Sequence, residues 1–191
     1  MAGIKRAGVT DLFKGQSDII LFDEVTDYNA AKVSTLKGPK SLGQILGDST
    51  EWNGDDPEVE NVLDEQGDVI TSNVTAGTLG FTFSMADTSA ETFTEFLKGL
   101  QIEGEFTADT NWESVTKVVG FGYQLPTMTR PIMIVNAEAN KALLFPKANI
   151  TSNLTIEDKV MYVKVTVVAE SIDTTSLKTG MLIVGKPKYE E

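Results

Sequence analysis

The chain has 191 residues with a formal net charge of −12, and it contains no histidine and no cysteine. Its length suits one domain with a sizeable core, and no apolar run reaches the roughly 18 residues of a membrane span. The two missing residue types exclude disulfides, the usual zinc sites and Ser-His-Asp or Cys-His catalysis. We therefore predict that the protein is not an enzyme and that it uses no cofactor and no metal.

Residues 1–30 form an N-terminal segment whose role the sequence leaves open. Its start lacks the hydrophobic stretch of a secretory signal. Three bases, Lys5, Arg6 and Lys14, stand against one acid in residues 1–14, which gives this part a net charge of +2.

Short elements follow in the first quarter of the chain. The apolar run at residues 19–22 predicts a buried strand, and the polar residues 27–29 predict a turn. Residues 32–36 predict a second short strand. Residues 41–46 predict one helical turn.

Residues 48–68 hold nine Asp or Glu and no Lys or Arg, and we call this stretch the acidic arm. Asn-Gly within residues 52–55 predicts a turn. The rest reads as a hairpin, with strands at 58–63 and 68–75 around a loop at 64–67. Three interpretations stay open: a solvated surface hairpin, a calcium loop whose acids depart from EF-hand spacing, and an arm that docks on another chain.

The docking interpretation rests on the apolar side chains among the acids, because a solvated hairpin of this length would not need them. The N-terminal bases are a candidate partner for the acids. The predicted subunit-interface residues are Asp48, Glu51, Trp52, Asp55, Asp56, Glu58, Val59, Val62 and Leu63 of the arm and Lys5, Arg6 and Lys14 of the N-terminal segment.

The most strongly patterned stretch is residues 78–99. Strict alternation from Leu79 to Met85 predicts a strand with one apolar face. Thr88 and Glu91 have the spacing of a capping box, which predicts a helix at about 88–99. We expect the helical face with Phe93, Phe96 and Leu97 to pack on the sheet.

The second half of the chain predicts further antiparallel strands separated by turns. They lie near residues 102–105, 115–123, 132–135, 142–145, 149–156, 160–169 and 181–184, with Pro146 interrupting and a polar tail at 185–191. Eight or more strands and one good helix predict a mainly β domain over residues 1–191. We expect a two-sheet β-sandwich or partly open barrel with one flanking α-helix and a long acidic loop or hairpin arm.

Three parts of the chain carry a resemblance to a known family. They are TLKGPKSLGQILGDSTEWNGDDPEVENVLDEQGDVI, VTAGTLGFTFSMADTSAETFTEFLKG and LFPKANITSNLTIEDKVMYVKVTVVAESI. By the order of these three parts, the chain resembles the major tail tube proteins of long-tailed bacteriophages over about residues 30–175. The motifs are specific in order and length, and none is an active-site motif.

The resemblance implies a function and a set of partners. Six subunits would form a ring whose hairpin strands join into one inner β-barrel, and rings would stack into a tube that conducts the viral genome during ejection. The fold would be shared with contractile-tail and type VI secretion tubes. The partners implied are the chain itself and the tail terminator, tape measure and baseplate proteins. The protein would be made in the bacterial host cytoplasm and reside in the virion.

The acidic balance agrees with a conduit that does not attract DNA, because like charges repel within a Debye length of roughly 10 Å. We therefore expect DNA to pass without specific binding. Two other classes stay open. One is a monomeric β-sandwich binding module, such as an adhesin or sugar-binding domain, and the other is a carboxylate hydrolase, which needs two acids converging in a concave site.

Overall fold

The computed structural model describes residues 17–42, 45–46, 49–56, 58–63, 65–66, 69–75, 77–98, 100–102, 118–120, 122, 127–136 and 140–185. The protein is mainly β, with one antiparallel sheet of eight strands that is not closed into a barrel, and one α-helix in the described part. The predicted class is therefore confirmed. The strands are β1 Ser17–Leu21, β2 Lys40–Ser41, β3 Glu51–Asn53, β4 Glu58–Leu63, β5 Val69–Thr75, β6 Gly80–Met85, β7 Leu100–Ile102, β8 Val118–Gly120, β9 Thr127–Asn136, β10 Lys141–Glu157, β11 Val160–Ala169 and β12 Met181–Val184.

The eight-stranded sheet runs in the order β2-β1-β9-β10-β11-β6-β3, and β12 pairs with β10. Two further hairpin-like pairs, β4–β5 and β7–β8, form separate two-stranded sheets. The chain divides into two compact units. The first comprises residues 1–42, 130–147 and 171–191, and the second comprises residues 43–129 and 148–170.

The first unit is built around β1, β9, β12 and the start of β10. Its core contains Ile20, Phe22, Val135, Ala142 and Leu144, with Met181 and Ile183 of β12 packed against it. The predicted strand at 19–22 is confirmed as β1, which pairs with β9. The turn at 27–29 is confirmed too, because the Asp27 carboxylate accepts from the Asn29 amide at 2.9 Å.

Two predictions near this unit are wrong. Residues 32–36 contain a 3₁₀ helix, Val33–Thr35, instead of a strand. The Lys32 amide donates to the Thr35 hydroxyl at 2.9 Å, and this local bond competes with extended structure. Residues 41–46 do not form a helical turn in their described part: Ser41 ends β2, and Ile45 bridges to Met85 of β6.

The prediction that Pro146 interrupts the strands is wrong. Pro131 lies inside β9, and Pro146 lies inside β10, which runs unbroken for 17 residues. Proline cannot donate a ladder hydrogen bond. Pro146 falls between the segment Lys141–Leu144, which pairs with β12, and the segment from Ala148 onward, which pairs with β11. The missing N–H is therefore placed where neither of these partners needs it.

The second unit is organised by β6, β11 and the rest of β10, whose register aligns side chains in rows. On one face, the core face, Val167 lies between Phe81 and Ile150, and Val165 lies between Phe83 and Ser152. These six side chains are at most 2% exposed. The Phe81 and Phe83 rings stack with centroids 5.7 Å apart. Alternation thus predicted the core face correctly from Phe81 to Met85, whereas Leu79, outside β6, is 50% exposed.

The helix α1 spans Ala90–Phe96, shorter than the predicted 88–99. The predicted cap at Thr88 is wrong, because Ser89 is the N-cap and its hydroxyl accepts from the Thr92 amide. Asp87 holds this cap in place by accepting from the Ser89 amide at 2.9 Å. Phe96 and Leu97 are buried as predicted, and Phe93 is half-buried. Lys98 adopts a left-handed φ of 51° just past the helix.

A buried serine joins the helix to the core face. Ser152 is 2% exposed and its hydroxyl donates to the Phe96 carbonyl, one of the carbonyls that a helix end leaves without a partner inside the helix. We expect Ser152→Ala to lower the free energy of unfolding by about 1–3 kcal/mol, since the buried carbonyl loses its donor. Urea unfolding measures this, with Asn153→Ala, an exposed neighbour, as the control. A loss no larger than the control's would contradict this role.

Candidate subunit interface

The end of the β10–β11 hairpin, which we call the hairpin tip, consists of residues 154–162. Glu157 and Val160 are the last paired residues, and Asp158 and Lys159 form the turn with φ of 50° and 67°. Two positive φ values suit a two-residue hairpin turn, because they match the twist of the strands. The turn predicted at 157–159 and the strand predicted at 160–169 are confirmed.

The hairpin tip continues the core face beyond the part that is buried. The core-face alternation runs on from Ile150 and Ser152 through Leu154 to Ile156, which lies opposite Met161. Buried at one end of the strand, this face is open at the other, where Ile156 is 70% and Met161 is 40% exposed. The alternation of residues 160–169 predicts that Met161 points inward with Val163, Val165 and Val167, and its exposure shows that this prediction is wrong for Met161.

β6, the neighbour of β11 in the sheet, ends before the hairpin tip. β6 pairs with β11 from Val168 to Val163, and Met85, the last residue of β6, lies opposite Val163. The chain then turns toward α1. Residues 160–162 of β11 extend beyond this pairing, and Val160 on the other face is 51% exposed. The hairpin tip therefore presents apolar side chains on strands that β6 does not reach, a feature typical of surfaces that associate.

The face opposite the core face, which we call the polar face, is rich in threonine and asparagine. Thr82, Thr166 and Thr151 form one row across β6, β11 and β10. In the next row, Ser84 and Asn153 flank Lys164, the one base within residues 80–85, 149–157 and 160–168. Thr82 and Ser84 of this face are buried, whereas Asn153 and Lys164 are exposed.

Tyr162 and Glu157 interact on the polar face at the hairpin tip. The Tyr162 hydroxyl donates to Glu157 Oε2 at 2.6 Å. This hydrogen bond, followed by desolvation and the negative charges of Glu157 and Asp158, raises the pKa of Tyr162 above its ordinary value of 10.0. The interaction holds the last residues of both strands together.

We expect this pKa to shift back toward 10 in Glu157→Gln, which removes the charge. Because the folded-state pKa is the higher one, the stabilisation is present below the unfolded-state pKa and is lost as pH rises through the folded-state pKa. Ultraviolet titration of phenolate measures this, with Tyr162→Phe identifying the signal among the four tyrosines. An unchanged titration curve in Glu157→Gln would contradict the assignment.

The structure separates the predicted arm into two parts. Residues 52–53 are not a turn: Glu51–Asn53 form β3 at the edge of the large sheet, where Trp52 lies opposite Phe81 with ring centroids 5.8 Å apart. Trp52 remains 52% exposed. The predicted hairpin is confirmed as β4 and β5, which pair with each other and with no other strand of the described part of the chain. We call β4–β5 the arm hairpin.

The described residues of the predicted interface lie in two strands and in the segment between them. Glu51 and Trp52 lie in β3, Asp55 and Asp56 lie between β3 and β4, and Glu58, Val59, Val62 and Leu63 lie in β4. Asp48, Lys5, Arg6 and Lys14 lie outside the described residues. The exposed apolar surface at the hairpin tip was not predicted from the sequence, since alternation identifies an apolar face but not whether another element covers it.

Within the ranges described above, no group of three or more acidic side chains is positioned to hold a metal ion. Across the same part of the chain, no helix has the length and apolar character needed to cross a bilayer.

Over the described residues, the fold and these surfaces define a mainly β protein with an open antiparallel sheet, one α-helix and a separate acidic hairpin, β4–β5. Comparison with known proteins finds no family model that matches the chain and no curated protein that matches it.

Proposed function

We propose that this protein is a structural subunit of a bacteriophage tail tube, in which hexameric rings stack and conduct the viral genome. The observation that carries the proposal is the hairpin tip, where Ile156 and Met161 extend an apolar core face past its own cover. A second copy of the chain could bury that face and pair with the strand edges. Self-association of this kind is what a ring requires.

The polar face and the net charge support the conduit part of the proposal. A wall on which DNA slides should offer neither apolar patches nor basic clusters, because counterion release on Lys and Arg drives non-specific DNA binding. Rows of threonine and asparagine with one lysine contain no basic cluster, while Val160 and Val168 are exposed apolar residues on the same face. The charge of −12 adds repulsion at short range.

The acidic arm hairpin supports contact between rings. It pairs with no strand of the large sheet, and its exposed acids Glu58, Glu60 and Glu65 carry no described ion pair. Together with the resemblance in residues 30–175, these features favour the tail tube over a monomeric binding module. Tail terminator, tape measure and baseplate proteins are proposed partners on the resemblance alone.

The hairpin tip can be tested with a matched pair of variants. We expect Ile156→Asp to abolish assembly, because a carboxylate would be buried against the neighbouring subunit. Leu182→Asp on β12, where leucine is 61% exposed, should assemble as the unmodified protein does. Sedimentation velocity measures assembly, and circular dichroism checks the fold of each variant. Equal assembly of both variants would refute the role of the hairpin tip.

A further inference from the structure

Two chain segments connect the arm hairpin to the large sheet, and they touch each other. Residues 54–57 lead from β3 to β4, and residues 76–79 lead from β5 to β6. The Thr78 hydroxyl donates to Asp55 Oδ2 at 3.0 Å and accepts from the Asp55 amide at 3.2 Å. One hydroxyl therefore binds both the backbone and the side chain of the opposite segment.

Glycines make this contact possible. A Cβ built on Gly77 would overlap the Asp55 carbonyl oxygen, and a Cβ built on Gly54 would lie 2.9 Å from the Thr78 carbonyl oxygen. Both obstacles are backbone atoms, which cannot rotate away as a side chain can. The two segments thus approach more closely than residues with side chains would allow.

Both segments are fixed to the sheet on the side away from the arm hairpin. The Asn53 amide side chain donates to the Thr82 hydroxyl at 3.3 Å, and β3 pairs with β6. The Leu79 carbonyl accepts from the Ala169 amide of β11 at 2.7 Å. The contact between the segments is therefore anchored on two strands of the sheet.

We propose that Gly54, Asp55, Gly77 and Thr78 form a rigid joint that sets the direction of the arm hairpin before it meets any partner. A preset direction lowers the entropy lost on binding, since the arm hairpin is already ordered. This benefit rests on the proposed function, in which the arm docks on another subunit. The rigidity itself is a property of the single chain.

The absence of cysteine from the sequence allows a direct test. Spin labels on Glu60→Cys in β4 and Lys164→Cys in β11, both exposed positions, report the arm-to-sheet distance by double electron–electron resonance. Labelled protein is diluted with unlabelled protein, so that distances within one chain dominate. We expect a narrow distance distribution for the original joint.

Variants of the joint should broaden that distribution. Gly77→Ala separates the segments, and Thr78→Val removes both hydrogen bonds while keeping the side chain's shape, so the test survives if Gly77→Ala does not fold. Thr78→Ser, which keeps the hydroxyl, should retain the narrow distribution. Gly122→Ala is the control, because a Cβ there meets nothing within 4 Å.

A broad distribution for the original joint, or widths unchanged in both Gly77→Ala and Thr78→Val, would overturn the proposal. Measuring the assembly of the same variants distinguishes the rigidity of the joint from its proposed role in arm docking. Broadened distances with reduced assembly support both the joint and arm docking. Broadened distances with normal assembly support the joint and refute docking as its purpose.

Discussion

Phe96→Ala is expected to lower the free energy of unfolding by about 3–5 kcal/mol, the cost of truncating a buried phenylalanine in a core. Phe96 is 2% exposed and belongs to the last turn of α1. Its carbonyl accepts from Ser152 on the core face, so the helix end is held against the sheet by its backbone as well. Limited relaxation around the site keeps the cavity open and the cost high.

Denaturant unfolding measures this effect. Phe93→Ala is the matched control, because it changes the same residue type in the same helix at a half-buried position. We expect a clearly smaller loss for Phe93→Ala. A loss below about 1 kcal/mol for Phe96→Ala would contradict the packing of the helix on the core face.

Removal of the arm hairpin is expected to abolish tube formation while leaving the fold intact. A Cβ built on Gly77 would lie 3.0 Å from the Asp56 carbonyl carbon, so the two ends of the arm hairpin adjoin. A Gly-Ser-Gly linker in place of residues 57–76 spans up to about 10 Å and bridges them. Trp52 stays in place, because it belongs to the sheet edge.

The expected result is a normal β-type circular dichroism spectrum with no tubes by negative-stain electron microscopy. Glu58→Gln with Glu60→Gln tests charge alone, and it should weaken assembly only modestly, since exposed ion pairs contribute about 0–1 kcal/mol each. Normal tubes from the linker variant would refute arm docking. An unfolded linker variant would place the arm hairpin in the core of its own unit.

Strong alternation made the neighbouring strands β10, β11 and β6 of the sheet predictable. β6, β11 and the second half of β10 carry period-two patterns, β12 is a short apolar run, and turn residues such as Asp158 and Lys159 mark where the chain reverses. The register then follows from a two-residue turn. The helix was predictable from its capping residues and from apolar residues at helical spacing. Its exact start was not predictable, because Thr88 and Ser89 can both cap a helix.

Non-local pairing was not predictable from local pattern. Trp52 was assigned to a turn through Asn-Gly, yet β3 pairs with β6, which lies about 30 residues away. Pro146 was read as an interruption, because the sequence does not show which backbone groups a neighbouring strand uses. The exposure of Ile156 depends on which elements pack on the core face, which no pattern within residues 149–161 encodes.

Electron microscopy of the concentrated, purified chain is the most direct test of the proposed tail tube. The account predicts rings of six subunits and stacked tubes in negative stain, with sedimentation velocity showing species far larger than the 20.7 kDa chain. The same samples of Ile156→Asp should contain single subunits only. A chain that stays monomeric at every concentration, with neither rings nor tubes, would contradict the tail tube and favour a monomeric binding module.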